Sequence, residues 1–182
     1  MYSTKSLKTY LGDLAARKPA PGGGSAAALA GALGCALLSM VCNYTLGKDK
    51  YKSVEKQIKS ILREVESMRE RFLALVDLDV EAYYKVFNSR KGSPSVYQRN
   101  LKGATKVPLE ICMLAVKGYK FCAPLSRIAN RYLICDVHVA KELLKSCLKS
   151  AQFNVMINIP QIKDKRFTAQ TKKKISSLIK NA

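Results

Sequence analysis

An all-α bundle of about six helices around one long buried central helix is the fold class this sequence predicts. Three observations predict it. Ser25 to Leu46 runs for 22 positions without a charged residue and is dominated by alanine, glycine, leucine and cysteine. Apolar side chains recur at helical spacing between 51 and 87, at Ile58, Ile61, Val65, Met68, Phe72, Leu75 and Val76. The 182 residues include only six prolines and show few alternations of strand period. A chain of this length is expected to form one domain, residues 1–182, with a sizeable core.

Residues 4–17 place Leu7, Tyr10, Leu11 and Leu14 on one helical face, ended by Lys18-Pro19 and Pro21. Next comes the stretch PGGGS, Pro21 to Ser25. Gly22, Gly23 and Gly24 let the backbone approach a ligand or a neighbouring helix, and Ser25 is a good N-cap. A glycine loop opening onto a helix N-terminus is also a natural anion site. Behind it, Ala27, Ala30, Gly31, Gly34 and Cys35 invite close helix packing. Gly47 closes this helix, and Lys48-Asp49-Lys50 forms an exposed joint.

A long amphipathic helix follows from Tyr51 to about Phe87, its stripe continuing to Tyr83 and Val86. Counting in sevens from Val65 gives Phe72, Asp79 and Val86, so a carboxylate falls on the face that should be buried. Asp77 follows Arg63 and Glu70 in sevens, on the charged outer face. A buried carboxyl has a raised pKa and can serve as an acid or base near neutrality. The plainer reading is an aspartate paired with a lysine or a tyrosine hydroxyl.

Asn88 to Ser95 reads as a turn, with Pro94 suited to start the next helix. That helix is expected over 96–121, kinked at Pro108 and fraying between Gly118 and Pro124. Another runs from about Asp136 to Gln152, with Asp136 placed as a cap or dipole partner. Residues 153–159 read equally as a strand or a continued helix; in a helix, Asn154 and Asn158 share one face. A final amphipathic helix covers about Asp164 to Ile179.

Six cysteines sit singly in apolar stretches with no C-x-x-C pair, which points to buried thiols in a reduced, cytoplasmic protein. One histidine, His138, leaves little for a metal centre or a histidine-based triad. A formal charge of +19 permits nucleic acid, anionic lipid or an anionic small substrate as partner. The lysines are scattered, with a single run at Lys172–Lys174, so a solvated basic surface is preferred to a nucleic-acid footprint. The 22-residue uncharged run is long enough to span a bilayer, but its Ala, Gly, Ser, Asn and Thr content makes it weakly apolar. Its length and the PGGGS break also argue against a signal peptide.

Several separated motifs resemble, in order, the cyclodeaminase domain of formiminotransferase-cyclodeaminase and the related bacterial methenyltetrahydrofolate cyclohydrolases. They are PGGGSAAALAGALGCALLSMV at 21–41, VDLDVEAY at 76–83, VPLEI at 107–111, Asn130 with Cys135-Asp136, FNVMINI at 153–159, and the tail from Asp164 to Ala182. The resemblance implies an all-helical homodimer with no metal and no cofactor beyond its polyglutamylated tetrahydrofolate substrate. It implies closure of 5-formiminotetrahydrofolate to 5,10-methenyltetrahydrofolate with loss of ammonia, or hydrolysis of the methenyl bridge to 10-formyltetrahydrofolate. Either reaction needs proton transfer at one carbon flanked by nitrogens, which a single positioned carboxylic acid can perform. The acidic motif falls on Asp77 and Asp79, and periodicity favours Asp79 as general acid/base, with Asp77 second.

By the same resemblance, Pro21, Gly22, Gly23, Gly24 and Ser25 form part of the folate pocket. Lys48 and Lys50 hold the anionic glutamate tail, and Asn154, Asn158 and Asp136 meet the pteridine edges. The chain departs from the family pattern at Cys135, where Ser or Thr is usual, at Ala129 in place of glycine, and at Asp49, where the charge is reversed. A non-catalytic folate-binding relative and a basic nucleic-acid-binding protein are the alternative readings.

Overall fold

The small residues of the uncharged run let three other long helices crowd against it. The computed structural model describes residues 1–180, and Asn181 and Ala182, which end the tail motif, lie outside them. Six α-helices occur among the described residues: α1 Leu7–Ala15, α2 Gly23–Thr45, α3 Glu55–Ser89, α4 Pro94–Ile128, α5 Ile134–Asn158 and α6 Lys165–Lys180. Short 3₁₀ turns occupy Asp49–Val54, Arg131–Leu133 and Ile159–Gln161.

α2 packs against α3, α4 and α5. Antiparallel to α3, it lays Gly31 on Phe72, where a β-carbon would come 2.5 Å from the ring. Antiparallel to α5, it lays Gly34 on Leu144 and the Ala140 carbonyl. Glycine serves here by having no side chain, which lets the helix axes close up. The core around α2 holds Leu38, Val41, Phe72, Leu75, Ile111 and Leu144. α2 is also the one helix among those described that is long and apolar enough to cross a membrane, but 61% of its most apolar window lies inside the bundle.

Burial of α2 is incomplete. Ala26, Ala30, Leu33, Leu37, Met40 and Tyr44 recur at alternating spacings of four and three and stay partly or fully exposed. On neighbouring α5, Val139, Phe153, Met156 and Ile157 are exposed as well. The α2 residues share one helical face, which is left uncovered among the described residues.

Several boundaries differ from the pattern-based expectation. Tyr51 lies in a 3₁₀ turn and α3 begins at Glu55. α4 runs through both Pro108 and Pro124 to Ile128. Residues 153–158 continue α5 as helix. In α1 only Tyr10 is fully buried; Leu14 packs partly against the core, while Leu7 and Leu11 are exposed. Cys135 is exposed as well, unlike the other five thiols, because its turn lies on the bare side of α5.

Candidate active site

α2 starts without a side-chain cap of its own. Its N-cap is Gly22, so Ser25 falls inside the first turn and does not act as the cap. First-turn N–H groups have no partner within their own helix. Asp79 of α3 supplies one from across the bundle: the Ser25 N–H donates to its Oδ2 at 2.9 Å. Gly24 is what permits this approach, since a β-carbon there would stand 2.6 Å from Asp79 Cγ. The Ser25 hydroxyl turns the other way and pairs with Tyr10 Oη at 3.1 Å. Asp79 is half-buried. Burial pushes its carboxyl above the usual carboxylate value, and the Ser25 N–H pulls it partly back.

A cavity of about 360 Å³ opens beside that carboxyl. Gly22, Gly23 and Gly24 form one wall and α3 another, with α4 and α5 opposite. Pro21 is buried behind the loop, joined to Ala20 by a cis peptide, while its neighbours Ala20 and Gly22 face the cavity. Along α3 and its C-cap, the lining residues Asp79, Tyr83, Phe87 and Arg90 follow one another at helical spacing. The Tyr83 and Phe87 rings stack with centroids 6.1 Å apart, and the Arg90 guanidinium sits 5.6 Å from the Phe87 centroid. Acid, aromatic wall and cation thus succeed one another over roughly 16 Å of helix.

Asn154 and Asn158 do share a face, and it lines the cavity. Each spends its amide N–H₂ on the protein. Asn154 Nδ2 donates to the Ser150 carbonyl at 3.0 Å. Asn158 Nδ2 donates to the Ala104 carbonyl at 3.4 Å. That carbonyl lies four residues before Pro108, which has no N–H to give it. The amide therefore serves a group the proline leaves open, and α4 continues as helix. No donor among the described residues reaches either Oδ1, so both remain as acceptors facing the cavity.

Other residues suggested for the site are elsewhere. Lys48 and Lys50 are exposed beyond the far end of α2, roughly 33 Å from the glycine loop in one chain. Asp136 precedes Asn154 on α5 by eighteen positions, roughly 27 Å. Long straight helices carry these residues away from a loop that is close in sequence or motif. Asp77 is not on an outer face. It is 4% exposed and accepts from the Tyr2 and Ser3 N–H groups and the Ser3 hydroxyl. The N-terminal segment covers the side of α3 that periodicity marks as outer.

Tyr83, Phe87, Arg90, Ala104, Pro108 and Ile157 line the cavity without having been singled out as site residues. Tyr83 and Val86 extend an apolar stripe and so read as core; Arg90 reads as part of a turn. The available signal was the coincidence of Asp79, Tyr83 and Arg90 on one face.

A half-buried carboxyl held against a helix N-terminus, above an aromatic and amide-lined cavity, defines a small-molecule site of the acid–base kind. No cluster of potential metal ligands occurs among the described residues. The chain belongs to the formiminotransferase-cyclodeaminase family, whose model matches residues 6–177. It is 33% identical to a methenyltetrahydrofolate cyclohydrolase of Methylorubrum extorquens, over all of this chain and 92% of that one. It is 30% identical to the formimidoyltransferase-cyclodeaminase of Sus scrofa over 98% of its own length, but spans only 35% of that longer protein. Its fold superposes on the crystal structure of formiminotetrahydrofolate cyclodeaminase from Thermotoga maritima with a TM-score of 0.96, at 30% identity, covering all of this chain and 91% of that one.

Proposed function

We propose that the chain is a folate one-carbon enzyme, a formimidoyltetrahydrofolate cyclodeaminase, with methenyltetrahydrofolate cyclohydrolase as the second reading. One observation carries the reading in this structure: the order of Asp79, the Tyr83–Phe87 wall and Arg90 along a single face of α3 and its C-cap. A folate presents its parts in the same order, from the reacting N5–N10 region through the benzoyl ring to the glutamate carboxylates. The relatives named above support the same class.

In the cyclodeaminase reaction, N10 forms a bond to the carbon of the protonated formimino group. Asp79 takes the proton from N10 and delivers it to the formimino nitrogen, whose bond to carbon then breaks as ammonia leaves. One carboxyl thus returns to its starting state, and a pKa raised by burial suits it to both halves of the transfer. In the hydrolytic reading, the same carboxylate takes a proton from water attacking the methenyl carbon and passes it to N5. The N5–carbon bond then breaks as the new hydroxyl becomes the formyl carbonyl and releases its proton to solvent. The Asn154 and Asn158 carbonyl oxygens accept from N–H groups of the pteridine edge. Arg90 receives the glutamate carboxylates, and a polyglutamate tail would leave by that rim. The uncovered apolar stripe of α2 supports a homodimer, and the six free thiols support a reduced, cytoplasmic setting.

The test is to assay the purified chain with both folates, following ammonia release from 5-formiminotetrahydrofolate and loss of methenyl absorbance. Ammonia release that disappears in Asp79→Asn supports the first reading, and methenyl loss alone supports the second. If neither folate turns over, or Asp79→Asn keeps the wild-type rate, the proposal fails.

A further inference from the structure

We propose that Tyr10 is a positioning residue for Asp79 and acts through Ser25: its phenol holds the Ser25 side chain and thereby fixes the first turn of α2 where the Ser25 N–H meets the carboxylate. The inference rests on the reading of Asp79 as the proton-transfer group.

The geometry is a short path of buried groups. Tyr10 is 4% exposed and Ser25 is fully buried. Their hydroxyls lie 3.1 Å apart, and the Ser25 hydroxyl makes no other hydrogen bond among the described residues. The same residue's N–H reaches Asp79 Oδ2 at 2.9 Å. Two hydroxyls buried against each other cost desolvation that phenylalanine and alanine would avoid in a pure packing role. What the pair provides is a fixed seat for the one first-turn residue that touches the acid.

Tyr10 is itself braced. The Tyr2 ring meets it edge-on, with centroids 5.6 Å apart and planes at 82°. Tyr2 is tied by its N–H to Asp77 and by its hydroxyl to Asp13 at 3.0 Å. The path therefore leaves α3 at Asp77, crosses the N-terminal segment and α1, and returns to α3 at Asp79.

Few titratable groups compete for influence on Asp79. α1 offers Tyr10, and α3 offers Tyr83 and, at the rim, Arg90. α2 gives it only a backbone N–H, and α4 and α5 face it with apolar side chains and the two asparagine amides.

The experiment titrates the Asp79 carboxyl by ¹³C NMR, assigned by its absence in Asp79→Asn, in wild type, Tyr10→Phe, Ser25→Ala and the double variant. Both single variants should raise the Asp79 titration by roughly half a pH unit or more, because the N–H bond that favours the charged form is loosened. The double variant should match either single one, since Tyr10 works through Ser25. The pH–rate profile of turnover should move in the same direction, with kcat falling more than KM rises. A folded Tyr10→Phe with the wild-type titration, or shifts that add in the double variant, would overturn the inference. The NMR signal reads the carboxyl directly, so full turnover by Asp79→Asn would sink the catalytic reading of Asp79 separately from its coupling to Tyr10.

Discussion

Asp77 and Asp79 stand two positions apart on α3, about 200° around the helix, and do opposite work. Asp79 faces the cavity and takes the Ser25 N–H at the start of α2. Asp77 is buried under the N-terminal segment and takes the N–H groups of Tyr2 and Ser3. One acidic motif thus supplies a candidate acid and a structural clasp.

That division predicts a split between two isosteric variants. Asp77→Asn replaces one acceptor oxygen by a donor facing N–H groups, and should cost about 1–3 kcal/mol of stability. Its rate per folded molecule should fall far less than that of Asp79→Asn, for which a loss of about 10²–10⁴ is expected. Thermal melts and turnover measured on both proteins would show it. Equal activity losses in the two would contradict the assignment.

Asp79 also sets a sign for stability against pH. Its carboxyl titrates higher in the folded chain than in the unfolded one. Between those two values the folded state binds more protons, so this group's contribution to stability falls as pH rises through the window. Asp79→Asn cannot titrate there. The stability difference, variant minus wild type, should therefore grow from pH 4 toward neutrality. Denaturant melts across that range would reveal it, and a flat or falling difference would contradict the burial argument.

Gly24 and Gly31 are both close-packed positions on α2, yet their alanine variants should fail differently. At Gly24 the new methyl collides with the Asp79 carboxyl, so activity should collapse while the fold survives. At Gly31 it meets the fully buried Phe72 ring, so the cost should appear as about 1–3 kcal/mol of lost stability. Circular dichroism melts beside turnover would separate the two.

Arg90 lies at the rim, with its guanidinium free of a carboxylate partner among the ion pairs of the described residues. Arg90→Gln should raise KM with little change in kcat, and more so for a polyglutamylated substrate than for the monoglutamate. The effect should shrink at high salt, as charge screening requires.

On the uncovered face, Leu33 is 52% exposed, so a charge there should not disturb the monomer's core. Leu33→Glu should shift the chain from dimer to monomer in analytical ultracentrifugation at low micromolar concentration. A wild-type chain that is already monomeric would remove the dimer reading.

Much of this architecture was legible in the residue pattern. Periods of 3.6 and seven placed every long helix, and counting from Val65 through Phe72 put Asp79 on the inward face. Asn154 and Asn158 were likewise placed together by spacing alone. Those are local properties, set by side chains a turn or two apart on one rod. The helix through Pro108 was not legible, because the carbonyl it exposes is met by Asn158, 54 residues later in the chain.

The sequence by itself determined the helices, the small-residue seam of α2 and the inward carboxylate, since each follows from helical geometry and side-chain size. Only the tertiary structure decided which residues line the cavity beside Asp79. Within one chain it carries Lys48, Lys50 and Asp136 to the far ends of rigid helices and sets Tyr83, Phe87 and Arg90 beside the cavity. It also covered Asp77 with a segment some 75 positions away and replaced the expected Ser25 cap with a carboxylate from another helix. Such pairings depend on how the helices are packed, and no period along one helix encodes a partner on the next.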